Sequence, residues 1–80
     1  MERIAVKTRD DFVAYCNQLA DSVRLNPSAF ENTDVASFIE ALSGWTNDMD
    51  GFYSNRGEPI PVELSWQVIA DMVSAALVYE

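Results

Sequence analysis

The chain has 80 residues, of which 49% are hydrophobic, and its formal net charge is −8. This length corresponds to a single domain, residues 1–80, and the apolar content is too high for a disordered chain. Because nucleic-acid binding depends on clustered lysine and arginine, the acidic composition argues against nucleic acid as a partner. The sequence predicts a small acidic globular protein.

The cysteine content and the hydropathy pattern indicate the compartment. Cys16 is the only cysteine, so the chain has no internal disulfide and no cysteine pair for zinc. No apolar run approaches the ~20 residues that span a bilayer, and the first twelve residues lack the apolar core of a signal peptide. We expect a cytoplasmic protein that does not bind membranes, with Cys16 as a structural thiol on an apolar helix face.

The first eight residues predict an extended arm. Positions 3–7 read Arg-Ile-Ala-Val-Lys, which is short and favourable for a strand. A lone strand needs partners for its backbone groups. The arm is therefore expected to pair either with a loop of its own chain or with a second copy.

Three amphipathic helices are predicted, over about residues 10–25, 33–49 and 63–79. Thr8 or Asp10 caps the first helix, which ends before Pro27. Asn32 or Thr33 caps the second, whose apolar residues recur at helical spacing as far as Met49. Gly44 lies on the polar face of that helix, where a glycine indicates a close backbone approach.

The third helix is apolar around more than half of its circumference. Such a helix must be covered on two sides, either by both earlier helices or by a second copy of the chain. The predicted fold class is therefore all-α: a small three-helix domain with an extended, possibly β, N-terminal arm and one ordered loop before the last helix.

The segment from Asn47 to Pro61 is the candidate functional loop. Its Asp-x-Asp-Gly pattern is typical of the calcium loop of an EF-hand. If Gly51 is aligned with the obligatory glycine, however, Thr46 and Gly57 occupy the first and last ligand positions. We therefore reject an EF-hand and expect no bound cofactor or metal, although Asp48 and Asp50 stay weak metal candidates.

A structural interpretation of the same segment makes it a connection between helices. Gly51 would end the second helix in the left-handed conformation. Two aspartates would then lie at the negative end of a helix dipole, which is unfavourable unless Arg56 or a ligand compensates them. This mismatch makes the segment the predicted partner-binding site. Its candidate residues are Trp45, Asp48, Asp50, Phe52, Tyr53, Arg56 and Glu58.

From about residue 10 to residue 80, the chain resembles a family of small bacterial proteins of unknown function. The matching elements are an aromatic-Glu-Asn before the second helix, a Trp-x-x-Asp-x-Asp-Gly-aromatic-Tyr loop, and a C-terminal Ala-Ala-x-x-Tyr-Glu. Phenylalanine at position 30 stands where tryptophan is more usual. The resemblance implies fold boundaries and no activity. The residues that carry it are Phe30, Glu31, Asn32, Trp45, Asp48, Asp50, Gly51, Phe52, Tyr53, Trp66, Ala75, Ala76, Tyr79 and Glu80.

The resemblance directs attention to Tyr79 and Glu80. These residues either fray into solvent or dock onto the chain, with the tyrosine hydroxyl or the carboxylate meeting Asn32, Arg56 or backbone amides. Because a carboxylate is unfavourable at the negative end of a helix, we favour fraying.

Three functions compete. The leading hypothesis is a non-catalytic module that covers a basic surface of another protein, as inhibitors and immunity-type proteins do. The second is a structural homodimer built on the third helix, with paired N-terminal arms. The third is a metal-assisted or carboxylate enzyme that uses Asp48, Asp50 and Glu58. The chain has no histidine, no nucleophile motif and no phosphate-binding loop, so we do not expect an enzyme.

Overall fold

Residues 4–79 are described by a computed structural model. The helices are α1 (Arg9–Leu25), α2 (Val35–Asn55) and α3 (Trp66–Ala76), with a short 3-10 turn at Pro27–Ala29. No strand occurs between positions 4 and 79. The prediction of a small all-α three-helix domain is confirmed, and positions 4–7 form neither a helix nor a strand. The rest of the predicted arm, residues 1–3, and Glu80 lie outside the described residues.

Helix α1 begins and ends where its local sequence predicts. Thr8 is the N-cap, and its hydroxyl accepts a hydrogen bond from the backbone N–H of Asp11 at 3.0 Å. The Asp11 carboxylate accepts in return from the N–H groups of Thr8 and Lys7, at 3.2 and 2.9 Å. This capping box satisfies backbone donors that have no partner inside the helix. The helix ends at Leu25, two residues before Pro27.

Helix α2 begins two residues later than predicted, because Asp34 is its N-cap rather than Asn32 or Thr33. The Asp34 carboxylate accepts from the N–H of Ser37 at 2.9 Å, and this hydrogen bond holds the pKa of Asp34 below its ordinary value. Asn32 is thereby available for a different structural role at the far end of α3.

The end of α2 differs most from the sequence prediction. The helix was expected to end near Met49, with Gly51 as its cap, but it continues to Asn55. Gly57, at φ +70°, takes the left-handed position instead. The N–H of Gly57 donates to the carbonyl of Ser54 at 3.1 Å, and that of Glu58 donates to the carbonyl of Tyr53 at 2.9 Å. These two bonds form a Schellman motif.

Burial explains why α2 does not stop at Gly51. Beyond Met49 the helix still presents Phe52 and Tyr53 to α3, and Tyr53 is only 2% exposed. Burying one such side chain contributes about 1.5–3 kcal/mol. A glycine in a helix interior costs only about 1 kcal/mol relative to alanine. Tertiary packing therefore outweighs the local preference for a break.

Helix α3 is the centre of the fold. Helices α1 and α2 both pack against it, and they do not approach each other closely along their backbones. Both earlier helices thus flank the apolar third helix, which is one of the two arrangements that the sequence allows. The helix begins later than predicted because Ser65 is its N-cap, and the Ser65 hydroxyl accepts a hydrogen bond from the N–H of Val68 at 3.1 Å. It also ends earlier than predicted, at Ala76.

The core consists of two clusters that meet on α3. One joins the arm and α1 to α3; the other joins α2 to α3. Between them, the buried carboxylate of Asp71 accepts hydrogen bonds from the Tyr53 hydroxyl at 2.8 Å and from the Gln67 amide at 3.0 Å. The buried members of the first cluster are Val6, Tyr15, Leu19, Ala70 and Leu77, and those of the second are Trp45, Tyr53 and Val68.

The described part of the arm is held by one side chain of α3. The amide oxygen of Gln67 accepts from the backbone N–H of Val6 at 2.8 Å, and its amide nitrogen donates to the carbonyl of Ile4 at 3.2 Å. Val6 is buried in the first cluster. The arm was expected to pair with a loop or with a second copy, but Gln67 supplies its hydrogen bonds within the chain.

Candidate acidic cleft

A segment distant in sequence closes the C-terminal end of α3. The backbone N–H groups of Glu31 and Asn32 both donate to the carbonyl of Leu77, at 2.8 and 2.9 Å. The side-chain amide of Asn32 donates to the carbonyls of Ala76 and Tyr79, at 2.9 and 2.7 Å. Carbonyls at the end of a helix have no partner inside the helix, so this segment supplies the missing donors.

Tyr79 packs onto α2 at Gly44. A Cβ atom at position 44 would lie 3.1 Å from the Cε2 atom of the tyrosine ring, closer than ordinary van der Waals contact. The predicted close approach at Gly44 is therefore real, although a side chain makes it rather than a backbone. The Tyr79 hydroxyl donates to the carboxylate of Asp48 at 2.5 Å. Tyr79 is docked, so the expectation of a frayed end was wrong for this residue.

The contact with Asp48 changes the acidity of Tyr79. The hydrogen bond to the carboxylate is the main cause that raises the pKa of Tyr79 above its ordinary value; burial and charge repulsion add to it. Asp48 also accepts from the side-chain amide of Asn47 at 3.1 Å. At neutral pH the tyrosine is therefore a protonated hydrogen-bond donor to the carboxylate of Asp48.

A cleft of about 570 Å³ lies beside this contact. Glu31 forms part of one wall and Glu40, on α2, forms part of another. Among the residues that the structure describes, none of those that line it is basic. Carboxylates on two separate elements can accept charge-assisted hydrogen bonds from an ammonium or guanidinium group placed between them. The lining residues are Glu31, Asn32, Ser37, Glu40, Ala41, Gly44 and Tyr79.

The aromatic residues of the predicted site lie mostly inside the protein. Trp45 and Tyr53 are buried, and Phe52 is half-buried between them, with ring-centroid distances of 5.4 and 5.0 Å. The guanidinium of Arg56 lies 5.4 Å from the centre of the Phe52 ring. Trp45 and Tyr53 therefore stabilise the α2–α3 interface, and their side chains are not available as anchors for a partner.

The charged residues of the predicted site do not converge either. Asp48 and Asp50 are two positions apart on one helix, so they project roughly 200° apart. Arg56 forms an ion pair with Glu58 at 2.9 Å, beyond the end of α2. Between positions 4 and 79, no three metal-ligating side chains come together. Because α2 ends at Asn55, the supposed conflict between the aspartates and the dipole of the helix end is also removed.

Glu31 and Glu40, which line the cleft, were not selected from the sequence as binding residues. Glu40, Gly44 and Asp48 follow a four-residue spacing, which places them on one stripe of α2. That spacing was visible in the sequence. The contribution of Glu31 was not, because it depends on the contact of its segment with Leu77, 46 positions away in the chain.

Cys16 lies outside this cleft. Its side chain is partly buried on α1, and burial raises the pKa of its thiol. A raised pKa reduces the thiolate fraction at neutral pH, which fits the expected structural role.

The fold and the cleft define a small all-α domain with an acidic surface depression at one end of its central helix. The chain belongs to a family of unknown function, DUF7660, which matches residues 8–80. No curated protein and no solved structure matches it. Among positions 4–79, no helix combines the length and the apolarity needed to cross a bilayer.

Proposed function

We propose that this protein is a non-catalytic binding module that covers a basic surface of a partner protein, in the manner of inhibitors and immunity-type proteins. The observation that carries the proposal is the acidic cleft, whose lining residues within positions 4–79 include two carboxylates and no basic side chain. The net charge of −8 adds a long-range field of the same sign, which speeds the encounter with a basic partner.

The cleft suits a lysine or arginine side chain of that partner. Glu31 is held by the backbone hydrogen bonds of its segment, and Glu40 is held by α2. A cation that enters between them has carboxylates on two sides, with the Tyr79–Asp48 pair close by. Since the backbone of both walls is fixed before binding, the conformational entropy lost when the cation enters is mainly that of the side chains.

The enzyme hypothesis receives less support from the placement of its residues. It needs Asp48, Asp50 and Glu58 in one loop, whereas the first two project to different sides of α2 and Glu58 pairs with Arg56. We therefore give binding precedence over catalysis. We further infer that this binding takes place in the bacterial cytoplasm, as the family resemblance and the single cysteine led us to expect.

Affinity capture with matched variants tests the proposal. The immobilised protein is exposed to lysate of the organism that carries the gene, at low and at high salt. The cleft variant is Glu31→Gln/Glu40→Gln. The control is Asp21→Asn/Asp50→Asn, which removes the same charge from exposed positions that do not line the cleft.

We expect one basic protein to be retained at low salt by the wild type and by the control. The cleft variant should bind it at least about tenfold more weakly, because it loses two charge-assisted contacts. If all three proteins retained the partner equally, the cleft would not be its binding site. Failure to retain any basic protein would contradict the proposed function itself.

A further inference from the structure

A second surface, at the opposite end of α3, is apolar rather than acidic. Along the connection from α2 to α3, Ile60, Val62 and Leu64 are all exposed, Val62 at 97% and Leu64 at 68%. Ile4 and Trp66 are also exposed. Single scattered apolar residues are normal on a protein surface, whereas a group of exposed apolar side chains is typical of an interaction site.

We call these five residues, which lie on the arm, on the connection and at the start of α3, the apolar end. A cleft of about 520 Å³ joins the arm to the connection and to α3; it is lined by Val6, Lys7, Leu64, Ser65, Trp66, Gln67 and Ile69. The hydrogen bond from Gln67 to the carbonyl of Ile4 brings the start of the arm to the same place. Ile60 and Val62 precede Leu64 at alternate positions.

The local sequence keeps these side chains outside the core. Pro59 and Pro61 fix two backbone dihedrals in the connection and remove two backbone donors. The segment is thereby stiffened, and its backbone has fewer ways of folding back onto α3. Its exposed apolar side chains are consequently available to another molecule.

The charges beside the apolar end favour a second copy of this chain. Lys7 and Arg9 lie along the arm and the start of α1, while Glu63 lies on the connection. From position 10 to position 79, the only other basic residues are Arg24 and Arg56, and each pairs with an acid of its own chain. Asp10 and Asp11 also lie beside Lys7 and Arg9, yet this end still carries less net negative charge than the rest of the described surface, so a second acidic copy is least repelled here.

We propose that the apolar end is a self-complementary interface, in which the arm of one copy packs against the connection of the other. A twofold axis brings each patch onto its equivalent, and in this arrangement we place Lys7 of one copy opposite Glu63 of the other. This interface is separate from the acidic cleft at the opposite end of α3. The proposed dimer surface is therefore the apolar end and not α3, because α1 and α2 already cover two sides of α3.

Sedimentation velocity of the full chain over a range of concentrations tests this interface. The variant Val62→Ser/Leu64→Ser removes two exposed apolar side chains from the patch. The control Leu25→Ser/Val35→Ser removes two that are equally exposed elsewhere, at 86% and 75%. Circular dichroism verifies that both variants fold, which is expected for surface positions.

We expect the wild type and the control to dimerise alike. The patch variant should dissociate about 100-fold more readily, because two apolar side chains no longer leave water on association. A wild type that stays monomeric at millimolar concentration overturns the proposal, and so does an equal effect of patch and control variants.

A charge exchange identifies the pairing. Lys7→Glu alone and Glu63→Lys alone should each weaken the dimer about tenfold, and the combined variant should restore it. If the combined variant does not dimerise as the wild type does, Lys7 does not lie opposite Glu63 and the arrangement is overturned. If the protein stays monomeric and binds phosphatidylglycerol vesicles through Val62 and Leu64, the occupant of the apolar end is a lipid surface, and the dimer proposal is overturned.

Discussion

The two ends of α3 are organised alike but expose opposite surfaces. At the C-terminal end, the amide of Asn32 donates to the carbonyls of Ala76 and Tyr79. At the N-terminal end, the amide of Gln67 bonds to the backbone of Ile4 and Val6. In both places one amide side chain fixes a segment more than 40 positions away in the chain.

The neighbours of each amide give the two ends different surfaces. Near Asn32, Glu31 and Glu40 make the surface acidic and mainly polar. Near Gln67, Leu64 and Trp66 make it apolar, with Lys7 beside them. The comparison indicates that the fold needs the two amides, whereas the flanking side chains are free to serve recognition. Variants of the two amides should therefore change stability, and variants of the flanking residues should change binding.

Gln67→Ala should have the largest effect on stability. It removes the partner of the Val6 N–H and one donor to the buried carboxylate of Asp71. Each buried group that loses its partner costs about 1–3 kcal/mol, so we expect a loss of about 2–4 kcal/mol in the free energy of unfolding. Urea unfolding measures it, with Gln18→Ala on the exposed side of α1 as the control. A loss below 1 kcal/mol would show that the arm contributes little to the fold.

Asn32→Ala should be the next most destabilising change, by about 1–3 kcal/mol, because two carbonyls lose their donor. Asn32→Asp should be at least as harmful, since a carboxylate would face the carbonyls of Ala76 and Tyr79. Asn17→Ala, on the exposed face of α1, serves as the control. Equal midpoints of unfolding for the Asn32 and Asn17 variants would contradict the role of the amide at this end.

The two glycines near the end of α2 should respond in opposite directions. Gly51 is inside the helix with open space around it, so Gly51→Ala should stabilise the protein by about 0.5–1 kcal/mol. Gly57 has a positive φ, so Gly57→Ala should destabilise it by about 1 kcal/mol. Thermal unfolding of both variants measures the difference. If both variants changed the stability in the same direction, the observed end of α2 would be contradicted. The connection to the apolar end begins there.

The smallest effect concerns the ionisation of Tyr79. Because its pKa is raised in the folded state, the folded protein holds this proton more tightly than the unfolded chain. The resulting stabilisation is present below the unfolded pKa of about 10 and is lost as the pH rises through the folded value. A titration of the tyrosine ring carbons by NMR should show Tyr79 ionising later in the wild type than in Asp48→Asn. Identical titration curves would contradict the hydrogen bond to Asp48.

The sequence was sufficient where local signals determine the structure. Thr8 and Pro27 bound the first helix, and the apolar circumference of the third helix required cover on two sides. The end of α2 was missed because Gly51 is a strong local signal, whereas the burial of Tyr53 against α3 is a tertiary one. Asn32 was named as one possible partner for a docked C-terminus, but the bonds of its amide, and of the Gln67 amide, to backbone groups 44 to 63 positions away were not predicted.

The candidate site was only partly accessible from the sequence. Asp48 was selected as part of a metal or partner loop, yet its observed partner is the hydroxyl of Tyr79. The four-residue spacing of Glu40, Gly44 and Asp48 was the usable signal for the cleft. Glu31 joins that stripe through long-range packing alone.

Contact between the acidic cleft and a basic partner is tested most directly by an NMR titration of the ¹⁵N-labelled protein with the protein recovered by affinity capture. We expect the chemical-shift changes of the backbone amides to concentrate at Glu31, Ser37, Glu40 and Gly44 and to become smaller when salt is added. Changes centred on Val62 to Trp66, or spread evenly over the surface, would contradict binding at the cleft.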